Sequence, residues 1–145
     1  MTLLYDTISK VRELVLAEPS VAAIVQDRLY PFSGAKRSVF PMGSININSI
    51  AIPKTHSGQQ GVWAVKAEAS LFALNRQQVV NLAEAFIRAA IGIRSARAGT
   101  DYLITQVFMD SAMSGDAFAD DTKSASRDWI YPFRVLLDIN VENLV

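Results

Sequence analysis

"DWIYPFRVLLDINV", residues 128–141, is the stretch on which the fold turns. Trp129, Tyr131, Phe133, Val135, Leu137, Ile139 and Val141 occupy every second position. A strict period of two lays them along one face of a β-strand, because successive side chains point to opposite sides of the pleat. Pro132 supplies no backbone donor and is expected near the start of this strand, at a bulge or at an exposed edge.

The same period recurs upstream. Trp63, Val65, Ala67, Ala69 and Leu71 alternate with Ala64, Lys66, Glu68 and Ser70. In "SININSIAIP", residues 44–53, Ile45 and Ile47 alternate with Asn46 and Asn48 before Ile50 and Ile52 change face, which predicts a bulge or a twist. A further strand over residues 101–110 sets Leu103, Val107 and Met109 against Tyr102, Ile104 and Phe108 on opposite faces.

Helical spacing appears elsewhere. Leu4, Ile8, Val11 and Val15 mark an amphipathic helix over residues 2–18, stopped by Pro19. A short second helix begins at Pro19 and Ser20, with Val21, Ile24 and Val25 on one side. Pro31 then disfavours helical backbone at Tyr30, so Tyr30-Pro31-Phe32 turns the chain, in contrast to the strand-borne Tyr131-Pro132-Phe133. Asn75 is placed to cap a third helix, Arg76 to Ile91, whose stripe is Val79, Ala83, Phe86 and Ala90, with Gly92 as its stop.

Helix, short helix, strand, strand, helix, strand, strand predicts one α+β domain over residues 1–145, a mostly antiparallel four-stranded sheet with helices packed on one face. The connections are polar: residues 33–42, residues 54–61, the basic "RSARAGT" of residues 94–100, and "DSAMSGDAFADDTKSASRD", residues 110–128. The last has no sustained period and is expected to be a long mobile loop, of a kind usually tied to function.

Composition narrows the functions. A chain of 145 residues, 50% hydrophobic and 19% charged, suits a single packed domain. Its zero net charge removes the main argument for nucleic acid as a partner and favours self-association. The absence of cysteine excludes disulfides and thiolate chemistry. No signal-peptide pattern opens the chain, and no run approaches the ~18 apolar residues of a membrane span; a soluble, cytoplasmic protein is expected.

Candidate chemistry is sparse. His56, the single histidine, lies in "KTHSGQQ" without partners at triad or zinc spacing. Asp116, Asp120 and Asp121 lack the alternating ligands, central glycine and terminal glutamate of a calcium loop. "SGQQG" is not a phosphate-binding loop. Arg88, Arg94 and Arg97, near the end of the third helix, suit its negative terminus better than a phosphate. No catalytic residue, cofactor or metal site is therefore expected, and the chain reads as a non-enzyme. What remains is contact chemistry. Lys36 and Arg37 in one loop and Asp116, Asp120 and Asp121 in another offer ion pairs between copies, the alternative being independent solvated loops. With Arg94 and Arg97 they form the candidate subunit or tube interface. A small ligand-binding or enzymatic domain using aromatics near Tyr30, Phe32, Trp129, Tyr131 and Phe133 is the reading from another class, although aromatics at alternating strand positions are more often core.

"VAAIVQDRLYPF" (residues 21–32), "VWAVKAEASLFALNRQQVVNLAEAFIRAAI" (residues 62–91) and the final "DWIYPFRVLLDINV", in this order, resemble the tail-completion or tail-terminator proteins of long-tailed bacteriophages and prophages. The likeness spans nearly the whole chain. It implies a structural virion-assembly protein that forms a homo-oligomeric ring, commonly a hexamer, on the end of the tail tube. Such a ring stops tube polymerisation and offers a head-tail joining surface. The implied partners are further copies of itself, the tail tube protein and head-neck connector proteins; genome DNA would pass through the ring without specific binding. The implied location is the virion tail, assembled in the host cytoplasm. A head-tail connector or neck protein of the same virion is the nearest alternative.

Overall fold

The computed structural model of the protein describes residues 3–31, 39–51, 61–119 and 129–144. They contain α1 (Leu3–Leu16), α2 (Pro19–Val25), β1 (Leu29–Pro31), β2 (Met42–Ala51), β3 (Val62–Ala73), α3 (Arg76–Ile91), β4 (Arg94–Ala98), β5 (Tyr102–Ser114), β6 (Phe118–Ala119) and β7 (Trp129–Asn143). The strands lie in the order β1-β2-β3-β7-β5-β4, with β6 also paired to β7. β1 and β2 are parallel and every other pair is antiparallel.

The α+β class and the mostly antiparallel sheet are as expected, but the four strands become seven. The additional ones are short and lie where side-chain periodicity is silent. β1 spans Leu29–Pro31, inside the chain-turning step. β4 occupies the supposed basic loop, and β6 the supposed long one. β5 also runs to Ser114, leaving only residues 120–128 of that loop outside the described residues.

β7 is central because it alone pairs with both long neighbours: Leu137 faces Ala67 on one side and Met109 on the other. Its Val135, Leu137, Ile139 and Val141 are buried, as are Val65, Ala67, Ala69 and Leu71 of β3. The helices cover this face with Ile8, Val11 and Val15 from α1, Val21 and Val25 from α2, and Val79, Leu82, Phe86 and Ala90 from α3. Each large side chain removed from water contributes ~1.5–3 kcal/mol. On the opposite face a smaller cluster joins Met42, Phe72 and Ile130, with Tyr30 and Phe40 against it.

Bulges set which residues reach the core. The β2–β3 register shifts between Ile47 and Ser49, so Ile47 and Ile50 pair with Ala67 and Val65 on the same face, as the sequence led one to expect. In β5 the register shifts between Ile104 and Gln106 and again between Met109 and Ser111. Ile104 and Val107 are consequently both buried, which corrects the expectation that they face opposite ways.

The helix ends follow local chemistry. Asn75 accepts from the backbone N–H of Gln78 at 2.8 Å and starts α3 where expected. Gly92 ends it at φ −78°, an ordinary right-handed conformation, and the terminal carbonyls of Ile91 and Ile93 accept instead from Arg94. Gly99 does need its freedom: φ is +69°, and a Cβ there would stand 2.6 Å from Asp6 Oδ2. The β1 edge is blunted, since Arg12 Nε donates to the Leu29 carbonyl and Pro31 brings no backbone donor.

Candidate assembly surface

Of the residues proposed for an interface, Lys36, Arg37, Asp120 and Asp121 lie outside the described residues. Arg94 and Arg97 lie on the edge strand β4, exposed, with Arg97 donating to the Thr100 carbonyl at 3.3 Å. Asp116 is exposed in the break between β5 and β6. Arg94 pairs with Gln106, and Asp116 lies ten positions (116 − 106) further along the strand, about 33 Å away at an extended rise of ~3.3 Å per residue. One chain therefore keeps the described cations and this acid at opposite ends of the β4–β5 edge.

The end that carries Asp116 is a hairpin arm. β4 pairs β5 only from Tyr102 to Gln106, so beyond Gln106 the outer edge of β5 has no strand neighbour among the described residues. β3 ends at Ala73, opposite Tyr131. Further out, only Phe118–Ala119 and Trp129–Ile130 are paired. Between β5 and β6 the ladder is interrupted opposite Pro132, where Gly115 donates to the Pro132 carbonyl at 3.1 Å. Pro132 thus sits near the start of its strand and beside an interruption, as its missing donor requires. Arg76, the first residue of α3, braces this point: it donates to the Gly115 carbonyl at 3.3 Å, and its guanidinium lies 5.0 Å from the Tyr131 ring centre.

Apolar side chains on the arm face water. Phe108 and Met113 are exposed beside the Asp138 and Arg134 positions of β7, and Phe118 packs edge-on against Phe72 while staying 37% exposed. Trp129 is 55% exposed. It shares the phase of Tyr131 and Phe133, yet the strand has run past the helices that cover them; its neighbour Ile130 is buried on the other face, against Met42 and Phe72.

The sheet face turned from the helices is charged but internally paired. Lys66 meets Asp138 at 3.0 Å and Arg134 meets Glu68. The hydrogen bond and then the charge of Asp138 raise the Lys66 pKa above the ordinary 10.5, outweighing a lesser desolvation effect, and Asp110 adds the smallest contribution.

At the other end, α1, α3 and β4 enclose an open groove of about 460 Å³. Leu14, Ala89 and Ile93 supply apolar walls, and Lys10, Arg88 and Arg94 set cations around them against one acid, Glu18. Arg88 also pairs with Glu84 at 2.6 Å. Among the described residues no group of three or more His, Cys, Asp or Glu side chains could hold a metal ion, and no helix is long and apolar enough to cross a membrane. The chemistry these surfaces offer is burial and charge pairing against another macromolecule.

Sequence reasoning named Arg94, Arg97 and Asp116 as candidates but did not see the groove or the exposed arm. The signal for the arm was present in β5 and β7: both run past the reach of the helices, so their outermost aromatics could not all be core. No family model and no curated protein matches the chain. Among solved structures it is similar to a chain of one described as "Virion of native gene transfer agent (GTA) particle", with a TM-score of 0.72, 12% sequence identity, and coverage of 93% of each chain. At that identity the likeness establishes a shared fold.

Proposed function

We propose that the protein is a structural virion-assembly protein that caps the phage tail tube as an oligomeric ring, ending tube polymerisation and forming the joining surface to the head-neck. The observation that carries the reading is the shared fold, over 93% of both chains, with a component of a gene transfer agent virion particle. The surface is consistent with it: apolar side chains exposed on an arm and a cation-rimmed groove are features for binding other proteins. The resemblance of the three quoted segments to tail terminators is what supports this position within the particle. Further copies of the chain, the tail tube protein and the neck proteins are the proposed partners.

Purified protein mixed with assembled tail tubes and imaged by electron microscopy tests this. The expected result is a ring at one end of each tube and tubes that no longer elongate. Attachment to head-side connectors with no binding to tubes would move the protein to the neck. Failure to associate with either component would overturn the virion reading.

A further inference from the structure

We infer that the free protein pairs with a second copy through the outer edge of β5 and β6, residues 107–119, which lies antiparallel to the same edge of the second copy about a twofold axis at Met113. The contact closes at two copies, so it goes beyond the ring reading above and does not rest on it.

The edge is built to accept a strand. β4 covers β5 only as far as Gln106, and β6 pairs with β7 alone. From Val107 to Ala119 the outer side therefore has no strand neighbour among the described residues, and such an edge templates pairing with another chain. One of its carbonyls, that of Gly115, is taken by Arg76. Elsewhere the edges are guarded: Arg12 donates to the β1 carbonyl of Leu29, and exposed arginines line β4.

The order of faces selects a second copy as the occupant. Val107, Met109, Ala112 and Ser114 pair with β7 residues of the helix-covered face, whereas Phe108 and Met113 lie on the open face. Phe118 lies there too, opposite Ile130 and against Phe72, and alternation puts Ala117 and Ala119 on the helix face. The ladder to β7 is broken twice, at Asp110 and at Gly115. Asp110–Ser111 and Gly115–Asp116 stand equally far on either side of Met113. Reversing the strand about Met113 consequently matches break to break and face to face. Phe108 meets Phe118 of the second copy, and Met113 meets its own equivalent. On the helix side only the small Ala117 and Ala119 come beside Met109 and Val107. A patch complementary to itself is what a twofold contact requires.

The ends fit as well. Ala119 faces Val107 of the second copy, one position short of Gln106, where β4 begins. The open edge of β2 beyond Ile45 is no substitute, because an antiparallel arm paired there would run on into the place held by β1. Phe108, Met113 and Phe118 are 44%, 50% and 37% exposed, so two copies cover six large apolar side chains that otherwise face water. Against this stand two like-charge pairs, Asp110 opposite Asp116 of the second copy, each a small term at an exposed position. Salt, which screens them, is expected to tighten the dimer.

The chain has no cysteine, so single-cysteine variants report the register. Met113→Cys sets two thiols across the axis, within the Cα separation of a disulfide. Under mild oxidation it is expected to give a linked homodimer at least roughly tenfold faster than Gln77→Cys, an exposed position on α3. Met109→Cys mixed with Ala117→Cys should link as readily, and neither alone, since each lies eight positions (117 − 109) from its own equivalent, ~26 Å along a strand. In sedimentation equilibrium the wild type is expected to be a dimer at micromolar concentration and Met113→Lys a monomer; Asp110→Asn should tighten the dimer about two- to tenfold at low salt. Circular dichroism verifies each fold, and the crosslinks decide should Met113→Lys misfold. A wild-type monomer throughout the micromolar range, or a Met113→Cys crosslink no faster than the control, overturns the inference. Rings on tubes without the crosslink leave the virion reading intact and remove the twofold pairing; the crosslink without tube binding does the reverse.

Discussion

Gly115 donates its backbone N–H to the carbonyl of Pro132 at 3.1 Å, and a Cβ on Gly115 would meet Pro132 Cγ at 2.9 Å. The close approach holds the two strands of the arm together across the break between β5 and β6. Gly115→Ala is therefore expected to push the strands apart at a cost of ~1–3 kcal/mol, the range for overpacking. A urea unfolding curve followed by far-ultraviolet circular dichroism reads it. An unchanged midpoint would show that the hairpin opens there at no cost.

Arg76 ties the arm to the start of α3 through the Gly115 carbonyl and the Tyr131 ring. Arg76→Ala should speed amide hydrogen exchange over residues 113–119 while costing only ~0.5–1 kcal/mol of global stability, as exposed cation–π contacts do. Arg76→Lys should recover part of the protection. Equal exchange in all three proteins would remove Arg76 as a brace.

Phe86 is fully buried in the main core, and Phe72 belongs to the small cluster on the other side of the sheet. Phe86→Ala should cost ~3–5 kcal/mol. Phe72→Ala, whose site lies near the exposed arm and can collapse more readily, should fall at or below the bottom of that range. The sheet separates the two, so the double variant should be additive within ~0.5 kcal/mol in calorimetry. A larger deviation would mean that the clusters melt as one unit.

Lys66 has its pKa raised by Asp138. For a base stabilised in its charged form, the contribution to stability is complete below the unfolded pKa of 10.5 and is lost as pH rises through the higher folded value. The stability difference between the wild type and Lys66→Met should thus be constant at neutral pH and shrink above pH ~10.5. Denaturant midpoints across the alkaline range measure it, and a gap that widened with pH would contradict the pairing.

Much of this architecture was legible because burial imprints a period. The alternation in β3 and β7 and the α3 stripe headed by Asn75 located the long elements, since each buries one continuous face. What escaped was structure without a repeating side-chain signature. β1 is held by its pairing with Gly43–Ile45 of β2, and β4 by backbone pairing with β5 around exposed arginines; neither leaves a pattern. Among the interface candidates, the sequence located charge but not distance. Arg94 and Asp116 are ten residues from meeting along a strand, a relation that exists only once β4 is known to be one.

The register shift at Asp110 determines what the arm presents. Phe108 and Met113 are five positions apart, an odd number, which in an unbroken strand would place them on opposite faces; the shift brings them opposite Asp138 and Arg134, four apart on β7 and so on the same side. Deleting Asp110 would remove the bulge and still leave Met113 opposite Arg134, whereas deleting a paired residue such as Ala112 with the bulge kept would move Met113 to the other side of the hairpin. The binding character of this surface is thus encoded partly as a count of residues, an attribute conserved or lost independently of which amino acids are used.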